Sequence, residues 1–408
     1  MGKYIFLGHN NSTAPRRQNT VVCPFGKPDR ALRECVVHPL VLIKNERMKK
    51  NFRVQEEIES TFRQQVQRDP KVKNAYLLVY SEKLGIDLNI AEGKTGDIPA
   101  NPKQANHLAS VGKLFTATVI GMLHDKELLH FEDKIAKYLD AELMRDLHIH
   151  KGVDYSKEIT IKHLLQQTSG LNDVFFPLLK KMMDDPKLEM NVREALEWGK
   201  TNLKPVGKPG QKHFYTDTNY YLLGLIIESI TEKPFHIAVQ EMILDPLKMD
   251  NAYISGFSEP KNKAQYPPAH IFLFNTNLIE NKRIANIDYA GGGMVAPLSE
   301  YLIFMKALVQ GQLVKEATLS KMIYDDIKMG FPAIGFDYGY SIWKPKAIPL
   351  LMPKRYFCWG CVGITGAFMF FHPKTEAYVI GTFNDKSYTS KALRFMLMKV
   401  IKPLLKVN

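Results

Sequence analysis

Long apolar runs are missing from this chain of 408 residues. No stretch reaches the ~18 consecutive apolar residues of a membrane-spanning helix, so no membrane span is expected. Cysteine is scarce, with four residues at positions 23, 35, 358 and 361. That is too few for a disulfide framework at this length. Cys358 and Cys361 have metal-ligand or redox spacing. A single such pair, with no His-rich segment after it, reads as two buried neutral thiols. No metal and no cofactor is expected. The opening residues Met1 to Gly8 hold too short an apolar run for a secretory signal, and Phe6 stands where a myristoylation site needs Ser or Thr. The expected location is therefore cytoplasmic. Internal repeats and low-complexity tracts are also absent.

What is present is ordinary globular composition, 45% hydrophobic and 24% charged. The length allows a sizeable core and one or two domains. Net charge is +13, and residues 1–50, with ten Lys/Arg against three Asp/Glu, carry +7 of it. This basic arm reads as a solvated, poorly ordered extension. A nucleic-acid role would rest on the arm alone, and no nucleic-acid partner is expected.

Past the arm, Phe52, Val54, Ile58, Phe62 and Val66 recur at helical spacing, which predicts a helix over Asn45 to Gln67. Ala75 to Tyr80 and Ile86 to Ile90 read as strands joined by a turn around Lys83 to Gly85. Helical pattern dominates from about residue 119 to 285. After it come a clear strand, Ala377 to Phe383, and an amphipathic terminal helix, Tyr388 to Leu405. Strands near both ends with a helical middle point to an α/β sheet domain from residues 51–118 and 286–408. A helical domain, 119–285, is inserted in it, and the active site is expected between the two.

Ser110-Val111-Gly112-Lys113 precedes the apolar stretch Leu114 to Leu129. If Ser110 opens a helix, Lys113 lies one turn on and on the same face. A partly desolvated amine there can lose its proton near neutral pH and take the hydroxyl proton. Backbone N–H groups at the helix start can help hold an oxyanion. Alone, the pattern equally fits an N-cap serine followed by a solvated lysine.

Other segments narrow the choice. Ala109 to Thr118 resembles the nucleophile segment of the serine β-lactamase and penicillin-binding-protein-like family, class C type. Ile159 to Leu171 is similar to that family's "LLxHTSGL" segment, with Gln167 in place of His. Phe214 to Gly224 resembles its tyrosine motif, and Ala290 to Val295 its glycine turn. Trp359 to Phe368 stands where its third motif belongs. The resemblance covers roughly residues 70–405. It implies an α/β fold, an antiparallel sheet flanked by helices of the β-lactamase/transpeptidase type, with an inserted all-helical domain. It also implies a serine hydrolase acting on a small molecule or short peptide.

By that resemblance Ser110 attacks a carbonyl and forms an acyl-enzyme. Lys113 assists by proton transfer or by its field, and Tyr215 matches the family's tyrosine. A phenol acts as a base at neutral pH only if nearby cations lower its pKa, and Lys113 is the natural cation. Asp217 stands where the strict motif has asparagine, and could pair with Lys113 and hold it charged. Asn219 is the alternative if the backbone is shifted. In the third motif the family carries Lys or His. This chain has Cys361-Val362-Gly363, or in a rival register Ile364-Thr365-Gly366, and neither holds a cation. Gly363 is expected to let substrate backbone approach, and the N–H groups of Ile364 and Ser110 to form the oxyanion hole. Lys94-Thr95-Gly96 spells a third motif but precedes Ser110, and reads as a turn. His163 and His213 read as structural or surface residues. Losing the third-motif cation argues against substrates bound through a carboxylate. Amides, D-amino peptides, β-lactams and esters stay open. The other reading is a catalytically impaired member acting as a binding protein.

Overall fold

The computed structural model describes residues 39–407 apart from 186, 274–275, 281, 331–332, 334 and 347–351. Most of the expected basic arm, with Cys23 and Cys35, lies outside the described residues. Residues 45–408 form one compact unit.

Helix α1 spans Pro39–Arg68. Within the compact unit its buried residues Val54, Ile58, Phe62 and Val66 fall every four residues and make one apolar stripe. Phe52, which shares the helical spacing, is 62% exposed. Strands β1 (Asn74–Ser81) and β2 (Ile86–Thr95) form the expected hairpin, and β3 (Ile98–Pro99) extends it. Lys94 and Thr95 end β2, and Gly96 turns the chain at φ +59°. After a 3₁₀ turn, Ala109–Gly112, comes α2 (Lys113–Asp125). Further along lie α3 (Phe175–Asp184), α4 (Thr218–Thr231), α5 (Lys282–Gly292) and α6 (Leu298–Val309). Six more strands follow: β4 (Ile327–Lys328), β5 (Phe336–Tyr338), β6 (Trp343–Pro345), β7 (Trp359–Gly363), β8 (Ala367–His372) and β9 (Ala377–Thr382).

Among the described residues these strands form a nine-stranded antiparallel sheet in the order β4-β5-β6-β7-β8-β9-β1-β2-β3. The first strands pair directly with the last, Leu77 opposite Gly381 and Val79 opposite Val379. Both faces of β1 are buried, which explains its unbroken apolar run. Ala75, Leu77 and Val79 join α1 and the C-terminal helix in one core. Tyr76 and Leu78 join the larger core around α2 and α4. Phe62 packs on Phe383 and Phe395, with ring centroids 6.0 and 6.1 Å away.

The fold is thus α/β, an antiparallel sheet flanked by helices. Residues 119–285 are mainly helical but include two small hairpins among the described residues, Ile149–His150 with Val153–Asp154 and Phe272–Leu273 with Thr276–Asn277. The positions expected to divide the domains, 118/119 and 285/286, fall inside α2 and α5. The terminal helix is not uniform. α7 (Thr389–Phe395) passes into a π-helical stretch, Met396–Ile401, before Lys402–Leu404. Pro403 has no N–H to continue the α ladder there. Among the described residues no helix is long and apolar enough to cross a membrane.

Candidate active site

Ser110 does not open α2. It sits in the 3₁₀ turn before it, and makes no side-chain capping bond. The turn begins at Ala109, whose φ of +49° is unusual for a residue with a side chain. One turn on, Lys113 still reaches back, with Nζ 3.0 Å from Ser110 Oγ. The end of α5 packs close beneath. A Cβ on Gly112 would lie 3.1 Å from the backbone of Gly292, and Thr116 Oγ1 donates to Ala290 O at 2.8 Å. The glycine turn therefore serves backbone contact with the nucleophile segment.

Lys113 is wholly buried. Its ammonium donates to Ser110 Oγ, to Gly291 O at 2.6 Å and to Asp217 Oδ1. Three donors thus meet three acceptors. Burial alone would pull the Lys113 pKa down, but the Asp217 carboxylate outweighs it and the net shift is upward. Burial pushes Asp217 up to about 6, against the pull of Lys113. At neutral pH the two form an ion pair. The free amine expected from the S-x-x-K spacing is absent, and the alternative in which Asp217 holds Lys113 charged describes the site. Asp217 is steadied by Asp173, whose Oδ1 accepts the Asp217 N–H at 2.8 Å. Asn219 points elsewhere, bonding Ser169 Oγ at 2.6 Å and Gln167 Oε1 at 2.5 Å. Gln167 also accepts the Thr216 N–H at 3.0 Å, so it anchors the loop that carries Tyr215.

The Tyr215 ring lies 5.3 Å from Lys113 Nζ. Its hydroxyl is buried, with the Ser110 side chain beside it and no other partner among the described residues. Burial, then Cys361 and Asp217, raise its pKa well above the ordinary phenol value. The cation expected to lower it is already neutralised by Asp217, and the phenol stays protonated.

β7 carries the third motif. Cys361 Sγ faces away from the cavity and donates to Ser110 O at 3.2 Å, and burial pushes the thiol up to about 12. Cys358 is likewise buried and free. A Cβ on Gly363 would come 2.3 Å from Leu108 O. Glycine is needed there for the Leu108–Ala109 backbone to approach, and Gly363 also lines the cavity. Val362, Gly363, Ile364 and Thr365 line a cavity of about 380 Å³ together with Ser110, Tyr215 and Asp217. Lys113 lies beneath its floor. Lys94-Thr95-Gly96 is not part of this site. A larger cavity, about 660 Å³, is lined by Asp146, Lys151 and Asn202 among others and includes none of the candidate residues.

Several wall residues carried no motif. His107, three residues before Ser110, holds Asp288 with Nε2 2.7 Å from Oδ2, and its Nδ1 accepts the Ala109 N–H at 3.1 Å. Phe175, Phe176 and Trp343 supply aromatic faces, as does Phe214 from the tyrosine segment. Proximity to the recognised segments could have flagged His107 and Asp288. Trp343, Phe175 and Phe176 gave no signal, since their pattern is that of any core. His213 lines the cavity and packs on Tyr338 at 5.4 Å. His163 completes a capping box with Thr160. Among the described residues no cluster of His, Cys, Asp and Glu could hold a metal ion.

The Beta-lactamase family profile matches residues 71–400 of the chain. Penicillin-binding protein 4* of Bacillus subtilis is 25% identical over 230 residues, which are 54% of this chain and 48% of that protein. The chain spans about a third to a half of the length of the curated relatives it matches first. A D-amino acid amidase from Ochrobactrum anthropi, solved with L-phenylalanine, superposes with a TM-score of 0.70 at 17% identity, covering 86% of this chain and 99% of its own. A hydrolase with promiscuous acyltransferase activity superposes with a TM-score of 0.68 at 16% identity, covering 88% and 99%. At these identities the structural likenesses speak for the fold.

Proposed function

Because the chain belongs to the Beta-lactamase family, we propose that it is a serine hydrolase working through an acyl-enzyme on Ser110, with an ester or amide lacking a carboxylate as substrate. One observation carries the reading: Ser110 Oγ lies at the cavity floor, 3.0 Å from an ammonium whose other partners are Asp217 and Gly291.

Ser110 Oγ attacks the carbonyl carbon and a C–O bond forms. Lys113, held charged, stabilises the negative charge that develops on Oγ. Tyr215 accepts the Ser110 proton on its oxygen as its own phenolic proton passes to the leaving alcohol or amine, whose bond to carbon breaks. Water then adds to the acyl-enzyme by the reverse relay, releasing the acid and restoring the Ser110 hydroxyl. The N–H groups of Ser110 and Ile364 are the oxyanion donors in this reading. Cys361 takes no part in binding and supports the Ser110 carbonyl from behind. The described cavity lining holds no Lys or Arg, which disfavours carboxylate-bearing substrates such as penicillins.

The second reading, a binding protein without turnover, draws on the protonated Tyr215 and the absence of a free amine. Intact-protein mass after a fluorophosphonate probe, and separately after a penicillin, separates the two. The expected result is a single adduct from the phosphonate, none from penicillin, and none in Ser110→Ala. No adduct from either reagent would favour the binding protein.

A further inference from the structure

The charge around Ser110 does not balance. Lys113 and Asp217 cancel. His107 and Asp288 are also in contact, at 2.7 Å, but the histidine does not neutralise its partner. Its Nδ1 accepts the Ala109 N–H, so that nitrogen carries no proton. The ring is then the neutral tautomer, with its proton on Nε2 facing Asp288. Burial holds His213 down to about 4, so it too is neutral near pH 7. With no Lys or Arg in the described lining, Asp288 leaves the cavity with an excess negative charge.

The rest of the wall fits the same kind of ligand. Trp343, Tyr215, Phe214 and Phe176 line it, and the faces of such rings attract cations. Tyr215 and Trp343 lie side by side, with centroids 6.2 Å apart. Thr365 is fully buried in this wall, and its Oγ1 has no partner among the described residues. A buried hydroxyl left unpaired on a cavity wall is suited to a polar group brought by the occupant.

We propose that this cavity selects esters or amides bearing an ammonium group, whose cation lies against Asp288 and the aromatic faces while the carbonyl faces Ser110. The proposal rests on the hydrolase reading above and assigns its substrate class. Asp288 is then a binding residue as well as the anchor of His107.

The test uses two p-nitrophenyl esters of the same shape, one of trimethylammoniobutyrate and one of its neutral isostere with carbon in place of the quaternary nitrogen. The full chain is expected to hydrolyse the cationic ester with kcat/KM about tenfold or more above the isostere, as desolvated cation recognition allows. In Asp288→Asn this ratio should collapse toward unity. A second measurement does not depend on that variant folding. Tetramethylammonium should inhibit hydrolysis of the neutral ester competitively in the unaltered protein, and tert-butanol at the same concentration should not. Equal rates, or a preference for the isostere, would overturn the proposal while leaving the hydrolase reading standing. A cationic preference that persists in folded Asp288→Asn would overturn the assignment to Asp288. Absence of turnover and of any Ser110 acylation by either ester would overturn both readings together.

Discussion

The floor and the wall of the cavity are built on opposite terms. On the floor every strong polar group is matched: Lys113 Nζ with three acceptors, Asp217 with Lys113 and the N–H that ties it to Asp173, Ser110 O with the Cys361 thiol. On the wall, His213 Nε2, Trp343 Nε1 and Thr365 Oγ1 are buried without partners among the described residues. Each such group forgoes stabilisation of about 1–3 kcal/mol. A floor with all bonds made suits a preorganised reaction centre, because its dipoles need not reorient when charge develops. A wall with bonds unmade suits recognition, because an occupant can supply the missing partners.

That contrast can be broken from the floor side first. Asp217→Ala leaves a buried ammonium without its anion and should destabilise the protein by about 3–5 kcal/mol. Urea unfolding measures this. A loss below about 1 kcal/mol would mean that Lys113 is not held by the pair. Changing pH asks the same question without a mutation. Asp217 titrates at about 6, so as pH falls through that value the carboxylate protonates and Lys113 loses its counter-charge. The kcat/KM profile should therefore have an acid limb with an apparent pKa near 6, falling about tenfold per pH unit below it. A flat profile between pH 5 and 8 would count against the pair as part of the reaction centre. The wall should respond most mildly. Trp343→Phe keeps a ring and removes the unpaired N–H. Its stability change should stay within about 1 kcal/mol, while KM shifts and kcat changes little. A drop in kcat alone would place Trp343 with the floor.

The floor was far more legible in the sequence than the wall. Ser110, Lys113, Tyr215 and Asp217 lie in short segments whose spacing is dictated by contact, and the structure brings all four together. What spacing could not give was charge state. A free amine and an ion pair share the letters S-x-x-K, and only burial together with Asp217 distinguishes them. The third motif was legible as a strand, but the direction of the Cys361 side chain was not. Strand residues alternate between faces, and here Cys361 turns from the cavity toward Ser110 O. In the same way β1 and α1 were legible as a strand and a helix, while the exposure of Phe52 was not, since periodicity marks a helical face but not how far its edge stays covered. The wall comes from loops and short strands far apart in the chain, and nothing local marks Trp343 or Phe176 as neighbours of Ser110.

At Gly291 an added Cβ would sit 2.6 Å from Asp217 Oδ1 and 3.6 Å from Lys113 Nζ. Every other amino acid that a single nucleotide change can install there brings that carbon. The position thus has no silent neighbour in sequence space, although the residue has no side chain and does no chemistry. For anyone needing an inert version of the protein, Gly291 offers a switch that leaves Ser110 itself untouched.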